Sequence, residues 1–282
     1  MQEVESPLFS PVDPEPPKRR DMCDDCGRPR CVCLCQSFPE NLVPIMTNII
    51  ILQHPNEENR TLATVPLLQK CIPTEKCHVL RGRRFGGKYE VLEKAITAPD
   101  SVVLFPSRTA VDLCRLPQRP ICTDGAALIV IDGTWSQARG LFTHNEFLHR
   151  LQQVKLSDTA TSEYVIRTQP TEASLSTLES IAYTLRWLEA SPQLFDILVQ
   201  PMRLLCHYQL EHGAVVHHSK EYKNETTLVW LLLLVSKTKM CLTLTCSLFV
   251  TIKYLSGTLP PTLEPVLLVA WSLPGTEQRT SG

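Results

Sequence analysis

No excess of charge of either sign runs through this chain of 282 residues, whose 28 basic and 29 acidic side chains leave a formal charge of -1 and a pI near 6.7. Without a global positive field, any binding of nucleic acid has to use local basic patches, and the balance itself neither supports nor excludes RNA. Long apolar runs are also missing. Residues 230–235 are too short to cross a bilayer, and Lys237 and Lys239 interrupt any longer version, so no membrane association is expected. No hydrophobic segment opens the chain either. Residues 1–20 are acidic, hold five prolines without hydrophobic periodicity, end in Lys18-Arg19-Arg20, and are expected to be disordered. Twelve cysteines would otherwise suit a secreted disulfide scaffold; without a leader, a reduced intracellular setting is the expectation.

What is present is enough apolar material, 43% of residues, for one substantial core and a small satellite module. The satellite is marked by cysteine. Five thiols crowd between Cys23 and Cys35, whereas Cys71, Cys77, Cys114, Cys122, Cys206, Cys241 and Cys246 are scattered, as small buried apolar residues usually are. Cys23-x2-Cys26 followed by Cys31, Cys33 and Cys35 can close a tetrahedral zinc site, with free or redox thiols as the alternative. Five candidates for four positions leave one spare.

The region after this module, 21–36, reads as an α/β parallel sheet. Residues 46–53 form a continuous apolar run bounded by turns, the mark of a fully buried strand, and residues 77–80, 101–105 and 127–132 continue the pattern. Helical stretches are expected at 61–70, 136–142 and 146–151, with a further short strand at 163–167. Ser176-Thr177-Leu178-Glu179 is a capping-box pattern that opens a helix with Leu178, Ile181, Ala182, Leu185 and Leu188 on one face, and a last helix covers 192–211. From about Ser219 the character changes, without period or repeat and with Pro260, Pro261, Pro265 and Pro274, and an atypical, poorly ordered tail is expected over 219–282.

Four apolar β-formers at the end of 127–132 deliver Asp132, Gly133, Thr134 and Trp135 to the carboxyl end of a buried strand. Ligands of open α/β sheets sit at that end. Asp132 is suited to act as a base, since desolvation at a strand end favours proton uptake, and equally suited to cap the next helix. Trp135 offers an aromatic face or a packing residue, and Thr134 and Gly133 offer a hydroxyl and amides. Ser107 is expected where a strand gives way to a helix, as an anion contact or a cap, and His54 as a phosphate contact or a plain loop residue.

Asp132-x-Thr134-Trp135 resembles the naming signature of the DTW-domain family. His54-Pro55-x-Glu57 with Thr61 and Thr64, Leu104-Phe105-Pro106-Ser107, Tyr164-x-Ile166-Arg167 and Leu175-Ser176-Thr177-Leu178-Glu179 are similar to further blocks of that family, in the same order, so that the likeness covers about Cys23 to His212. The resemblance implies a tRNA-uridine aminocarboxypropyltransferase, which moves the 3-amino-3-carboxypropyl group of S-adenosylmethionine to N3 of a uridine. It also implies a SPOUT-like parallel sheet flanked by helices, with a knotted segment that bends the donor, over a catalytic domain of 37–218. The family's Cys-x2-Cys, about six residues, then Cys-x-Cys matches Cys23, Cys26, Cys33 and Cys35, leaves Cys31 over, and makes the zinc structural. Asp132 then becomes the catalytic base, and Pro106, Ser107, Gly133, Thr134, Trp135, Leu175, Ser176 and Thr177 the donor pocket.

For tRNA, the densest basic patch is Arg81, Arg83, Arg84 and Lys88, beside Phe85 and Tyr89 that are suited to stack on bases; a solvated loop is the alternative. Arg28 and Arg30 offer further phosphate contacts, and Lys18 to Arg20 suit a weak nuclear signal, so nucleus and cytoplasm are the expected locations. No stable protein partner is implied. A zinc-containing RNA-binding protein without catalysis and a SPOUT-like RNA methyltransferase are the competing readings.

Overall fold

The computed structural model describes residues 20–123, 125–157, 161–171 and 174–222. The N-terminal segment 1–19 and the tail from 223, with residues 230–235, Cys241 and Cys246, lie outside the described residues. The chain divides into two units at Lys220, and the first holds everything described below apart from Glu221 and Tyr222.

In chain order the elements are β1 (Ile49–Gln53), α1 (Val65–Gln69), β2 (Cys77–Arg81), α2 (Glu90–Thr97), β3 (Val102–Leu104), β4 (Val111–Asp112), β5 (Leu128–Asp132), α3 (Trp135–His144), α4 (Phe147–Arg150), β6 (Gln152–Lys155), α5 (Thr177–Leu188) and α6 (Leu194–Glu211). The strands form one six-stranded sheet in the order β2-β1-β5-β3-β6-β4, and every pairing is parallel.

Every residue of β1 and β5 is buried, because each strand is covered on both faces. Ile49, Ile51, Leu128 and Val130 face α1, α5 and α6, whereas Ile50, Leu52, Ile129 and Ile131 face α2, α3 and α4. Burying one such side chain stabilises the fold by about 1.5–3 kcal/mol. An aspartate at Ile129 would place an unpaired charge between two layers and break the sheet at its centre.

Several elements depart from the sequence reading. The first strand begins at Ile49 because Glu189 accepts from the N–H groups of Met46 and Thr47, at 3.2 and 2.7 Å, before the ladder starts. The first helix is confined to Val65–Gln69. Residues 163–167 form no strand: the Glu163 N–H donates to the Glu179 carboxylate at 2.7 Å and the Val165 carbonyl accepts from His217 N–H, so neither group is left for a ladder. β4, β6 and α2 were not anticipated.

The order of strands creates the site. From β1 the chain passes to β2 on one side, and from β5 it passes to β6 on the other, although β1 and β5 are neighbours. Connections that diverge in this way open a crevice at the carboxyl ends of the two strands.

Candidate functional site

A cleft of about 660 Å³ lies at those strand ends. Asp132, Gly133, Thr134 and Trp135 form one wall, Pro106 after β3 another, and Leu175, Ser176 and Thr177 at the start of α5 a third. Glu57 from the turn after β1, Tyr164 and Arg167 close it.

Asp132 is the last residue of β5 and is 8% exposed. Its Oδ1 accepts from the Thr177 hydroxyl at 2.7 Å and its Oδ2 from the Gln53 amide at 3.0 Å. Gln53 is its in-register neighbour on β1, and Arg81 is the neighbour of Gln53 on β2. Arg81 Nε donates to Gln53 Oε1 at 3.1 Å. Since a guanidinium has no acceptor, Arg81 fixes which end of the Gln53 amide it meets and leaves the NH2 for Asp132. The carboxylate does not cap α3. That role belongs to Thr134, whose hydroxyl accepts from Gln137 N–H at 3.3 Å while its own N–H donates to Gln137 Oε1 at 2.7 Å. The amide expected from Thr134 is therefore already taken. Gly133 packs closely on α3: a Cβ there would stand 3.1 Å from Gln137 Cβ, so the start of the helix would have to give by a few tenths of an ångström.

Trp135 begins α3 with 39% of its surface exposed, so its indole is presented at the cleft and not packed away. Ser176 caps α5 as expected, in a capping box with Glu179. The Glu179 carboxylate, 1% exposed, takes Ser176 N–H at 2.7 Å, Glu163 N–H at 2.7 Å and the Ser162 hydroxyl, and so ties the start of α5 to the loop that carries Tyr164 and Arg167. Tyr164 donates to the Leu62 carbonyl at 2.6 Å, and burial pushes its phenol up to about 12.

The turn after β1 contributes Glu57, quoted in the motif but given no role from sequence. It is 4% exposed, its Oε2 meets Arg60 Nε at 3.1 Å, and burial raises its carboxyl pKa against the pull of Arg60, with the charge of Asp132 adding to the rise. His54 uses Nδ1 to accept from Asn56 N–H at 3.2 Å, and burial followed by the nearby Arg83 lowers its pKa. Its ring therefore serves as the cap of the turn, and burial and Arg83 both disfavour the cation that a phosphate contact would use.

Other expectations are corrected. No helix follows β3; Ser107 turns toward β4, its N–H donates to the Phe105 carbonyl, its hydroxyl bonds Gln153 Oε1, and it does not line the cleft. Arg81 is committed to Gln53 and, at 2.6 Å, to Glu58. Phe85 is fully buried under α2 and α3 and cannot stack on a base. Arg83, Arg84 and Lys88 are exposed, and Lys88 Nζ lies 5.2 Å from the centre of the Tyr89 ring. Arg28 folds back to donate to the Thr61 carbonyl at 3.1 Å, and Arg30 pairs with Asp21 at 3.0 Å. Among the scattered thiols, Cys71, Cys77 and Cys206 are buried, but Cys114 is exposed.

The sulfurs of Cys23, Cys26, Cys33 and Cys35 lie within 4.8 Å of one another, with Cys23–Cys35 at 3.6 Å and Cys26–Cys33 at 3.7 Å. A tetrahedron with metal–sulfur bonds of about 2.3 Å has edges of about 3.8 Å, so the four thiols could hold a zinc ion. Gly27, with φ of +66°, makes the turn just after the second, its N–H donating to the Cys23 carbonyl at 2.9 Å. Backbone N–H groups of Cys26 and Asp25 lower Cys23 to about 7, while the crowding of Cys33 and Cys23 raises Cys35 to about 12. Four such thiols ionise together only around a cation. Cys31 is exposed and stands outside the group. Leu34 anchors the module in the main core, and Gln36 donates to the Tyr208 hydroxyl at 3.0 Å.

Together these features define a parallel α/β protein with a ligand cleft at the switch point of its sheet and a four-cysteine module docked beside it. The pattern of the DTW domain family matches residues 20–210, and the chain belongs to that family. It is similar to tRNA-uridine aminocarboxypropyltransferase 2 of Drosophila melanogaster, 42% identical over 213 residues that cover 75% of this chain and 84% of the relative. The protein of that name from Mus musculus is 42% identical over 208 residues, 73% and 69% of the two chains. tRNA-uridine aminocarboxypropyltransferase A of Arabidopsis thaliana is 31% identical over 200 residues, 61% and 74% of the two. No solved structure matches the chain. Among the described residues, no helix is long and apolar enough to cross a membrane.

Proposed function

We propose that this protein transfers the 3-amino-3-carboxypropyl group of S-adenosylmethionine to N3 of a tRNA uridine, giving acp3U and 5'-methylthioadenosine. The observation that carries this reading is the carboxylate of Asp132, held by two donors at the end of the central strand, in the cleft of a DTW-family chain. When bound, the sulfonium donor supplies a carbon activated toward a nitrogen nucleophile. Asp132 accepts the uridine N3 proton as the N3–C bond forms and the C–S bond breaks, the electron pair leaving on the thioether sulfur.

Asp132 can do this because each of its oxygens keeps acceptor capacity beyond the one hydrogen bond it receives. Trp135 offers its exposed face to the base or to the donor cation. Pro106, Gly133, Thr134 and the stretch Leu175 to Thr177 line the donor end of the cleft, where the first-turn N–H groups of α5 suit a carboxylate. Arg83, Arg84 and Lys88 meet tRNA phosphates. Cys23, Cys26, Cys33 and Cys35 hold a structural zinc with no open position, which keeps Arg28 against the loop at Thr61 that leads into the cleft wall.

The test is to incubate purified, zinc-loaded protein with S-adenosylmethionine and tRNA and to analyse nucleosides by mass spectrometry. acp-uridine together with 5'-methylthioadenosine is expected. A methylated base, or unmodified tRNA from a folded sample, overturns the reading.

A further inference from the structure

Among the described residues, one fully buried side-chain oxygen or nitrogen lacks a hydrogen-bond partner: Oε1 of Glu57. The residue is 4% exposed, its N–H is fixed to the His54 carbonyl at 2.9 Å, and Oε2 is used by Arg60. Oε1 is therefore held without a donor, buried within a residue that lines the same cleft as Asp132. Such an atom weakens the fold, which is what a group kept for a ligand does.

The kind of donor follows from the surroundings. Each Asp132 oxygen already accepts one hydrogen bond, from Thr177 or Gln53, whereas Glu57 Oε1 accepts none until a ligand supplies a donor. A hydroxyl or imino N–H would satisfy Oε1 but do nothing for the repulsion between the Glu57 and Asp132 carboxylates, which Arg60 and Arg167 offset only in part. A sulfonium supplies positive charge but no hydrogen to donate. A primary ammonium supplies both. Its companion carboxylate finds Arg167 in the same cleft, beside the first-turn N–H groups of α5 already assigned to it.

We propose that Glu57 is the subsite for the α-ammonium group at the amino-acid end of the bound sulfonium nucleoside, which rests on the donor assignment above. The test compares three nucleosides by calorimetry: S-adenosylhomocysteine, its analogue with hydrogen in place of the α-amino group, and 5'-methylthioadenosine. The unaltered protein is expected to bind S-adenosylhomocysteine at least tenfold more tightly than the deamino analogue. In Glu57→Gln, which keeps size and shape, that ratio is expected to collapse toward one, while affinity for 5'-methylthioadenosine stays within about twofold and reports an intact cleft.

Equal binding of the first two nucleosides by the unaltered protein removes the ammonium subsite and leaves the donor reading standing, without recourse to any variant. An undiminished ratio in Glu57→Gln moves the subsite to another residue and also overturns the assignment. Failure of the unaltered protein to bind any of the three removes the donor reading and the subsite together.

Discussion

Glu179→Gln tests whether the carboxylate under α5 holds the cleft together. The two oxygens are claimed by different backbone groups, Oε2 by Ser176 N–H and Oε1 by Glu163 N–H, both at 2.7 Å, with the Ser162 hydroxyl reaching each. An amide of the same shape has only one acceptor, so whichever way it turns its NH2 opposes a buried N–H. The change removes one hydrogen bond to a charged acceptor and strands a donor, a combined loss of about 2–4 kcal/mol. For a domain of this size that lowers the thermal midpoint by roughly 5–15 °C. Ser162→Ala, which deletes only the hydroxyl, is the control and is expected to lose less than about 1 kcal/mol. Urea and thermal unfolding of the three proteins supply the numbers, and nucleoside binding to Glu179→Gln is expected to fall in parallel as the Tyr164 and Arg167 wall loosens. A Glu179→Gln protein within about 0.5 kcal/mol of the parent refutes the argument that both oxygens are required.

The other predictions are shorter. Asp132→Asn is expected to abolish transfer while zinc content and tRNA affinity are kept; retained turnover takes the residue out of the mechanism. Cys33→Ser and Cys35→Ser are expected to lose metal and Cys31→Ser to keep it, as read by metal analysis of the purified proteins. Replacing Arg83, Arg84 or Lys88 by Ala should weaken tRNA binding and lower its salt slope by about one unit each if that residue meets a phosphate. Burial raises the Glu57 pKa, so its contribution to stability is greatest below the unfolded value and is lost as pH rises through the folded one. Glu57→Gln is therefore expected to gain stability over the parent at pH 8 and less at pH 4. A difference that does not change with pH contradicts the burial argument.

β1 and β5 were legible because a strand buried on both faces must be apolar throughout, and α5 because its capping box and apolar stripe agree. β6 was not, because Gln152, Gln153 and Lys155 carry no apolar run. Gln153 is buried by virtue of the Ser107 and Thr109 hydroxyls, which sequence does not place beside it. Residues 163–167 misled for the opposite reason: Tyr164 and Ile166 alternate inward like a strand, but the backbone groups go to Glu179 and His217. At the site, a polar residue ending an apolar strand flagged Asp132, and the same signal at Gln53 went unread. Glu57 could not be assigned, because its burial and unmatched oxygen exist only once the turn after β1 has closed over it.

The row Arg81, Gln53 and Asp132 has a mechanical consequence. All three sit on neighbouring strands at one register level, and the remaining hold on Asp132 comes from Thr177 of α5. None of these anchors belongs to the loops after β1 or β3. The bearing of the carboxylate is therefore set by the sheet and α5, and a change of side chain in either loop is expected to leave it in place, as a bench vice keeps its jaw fixed while the workpiece is exchanged.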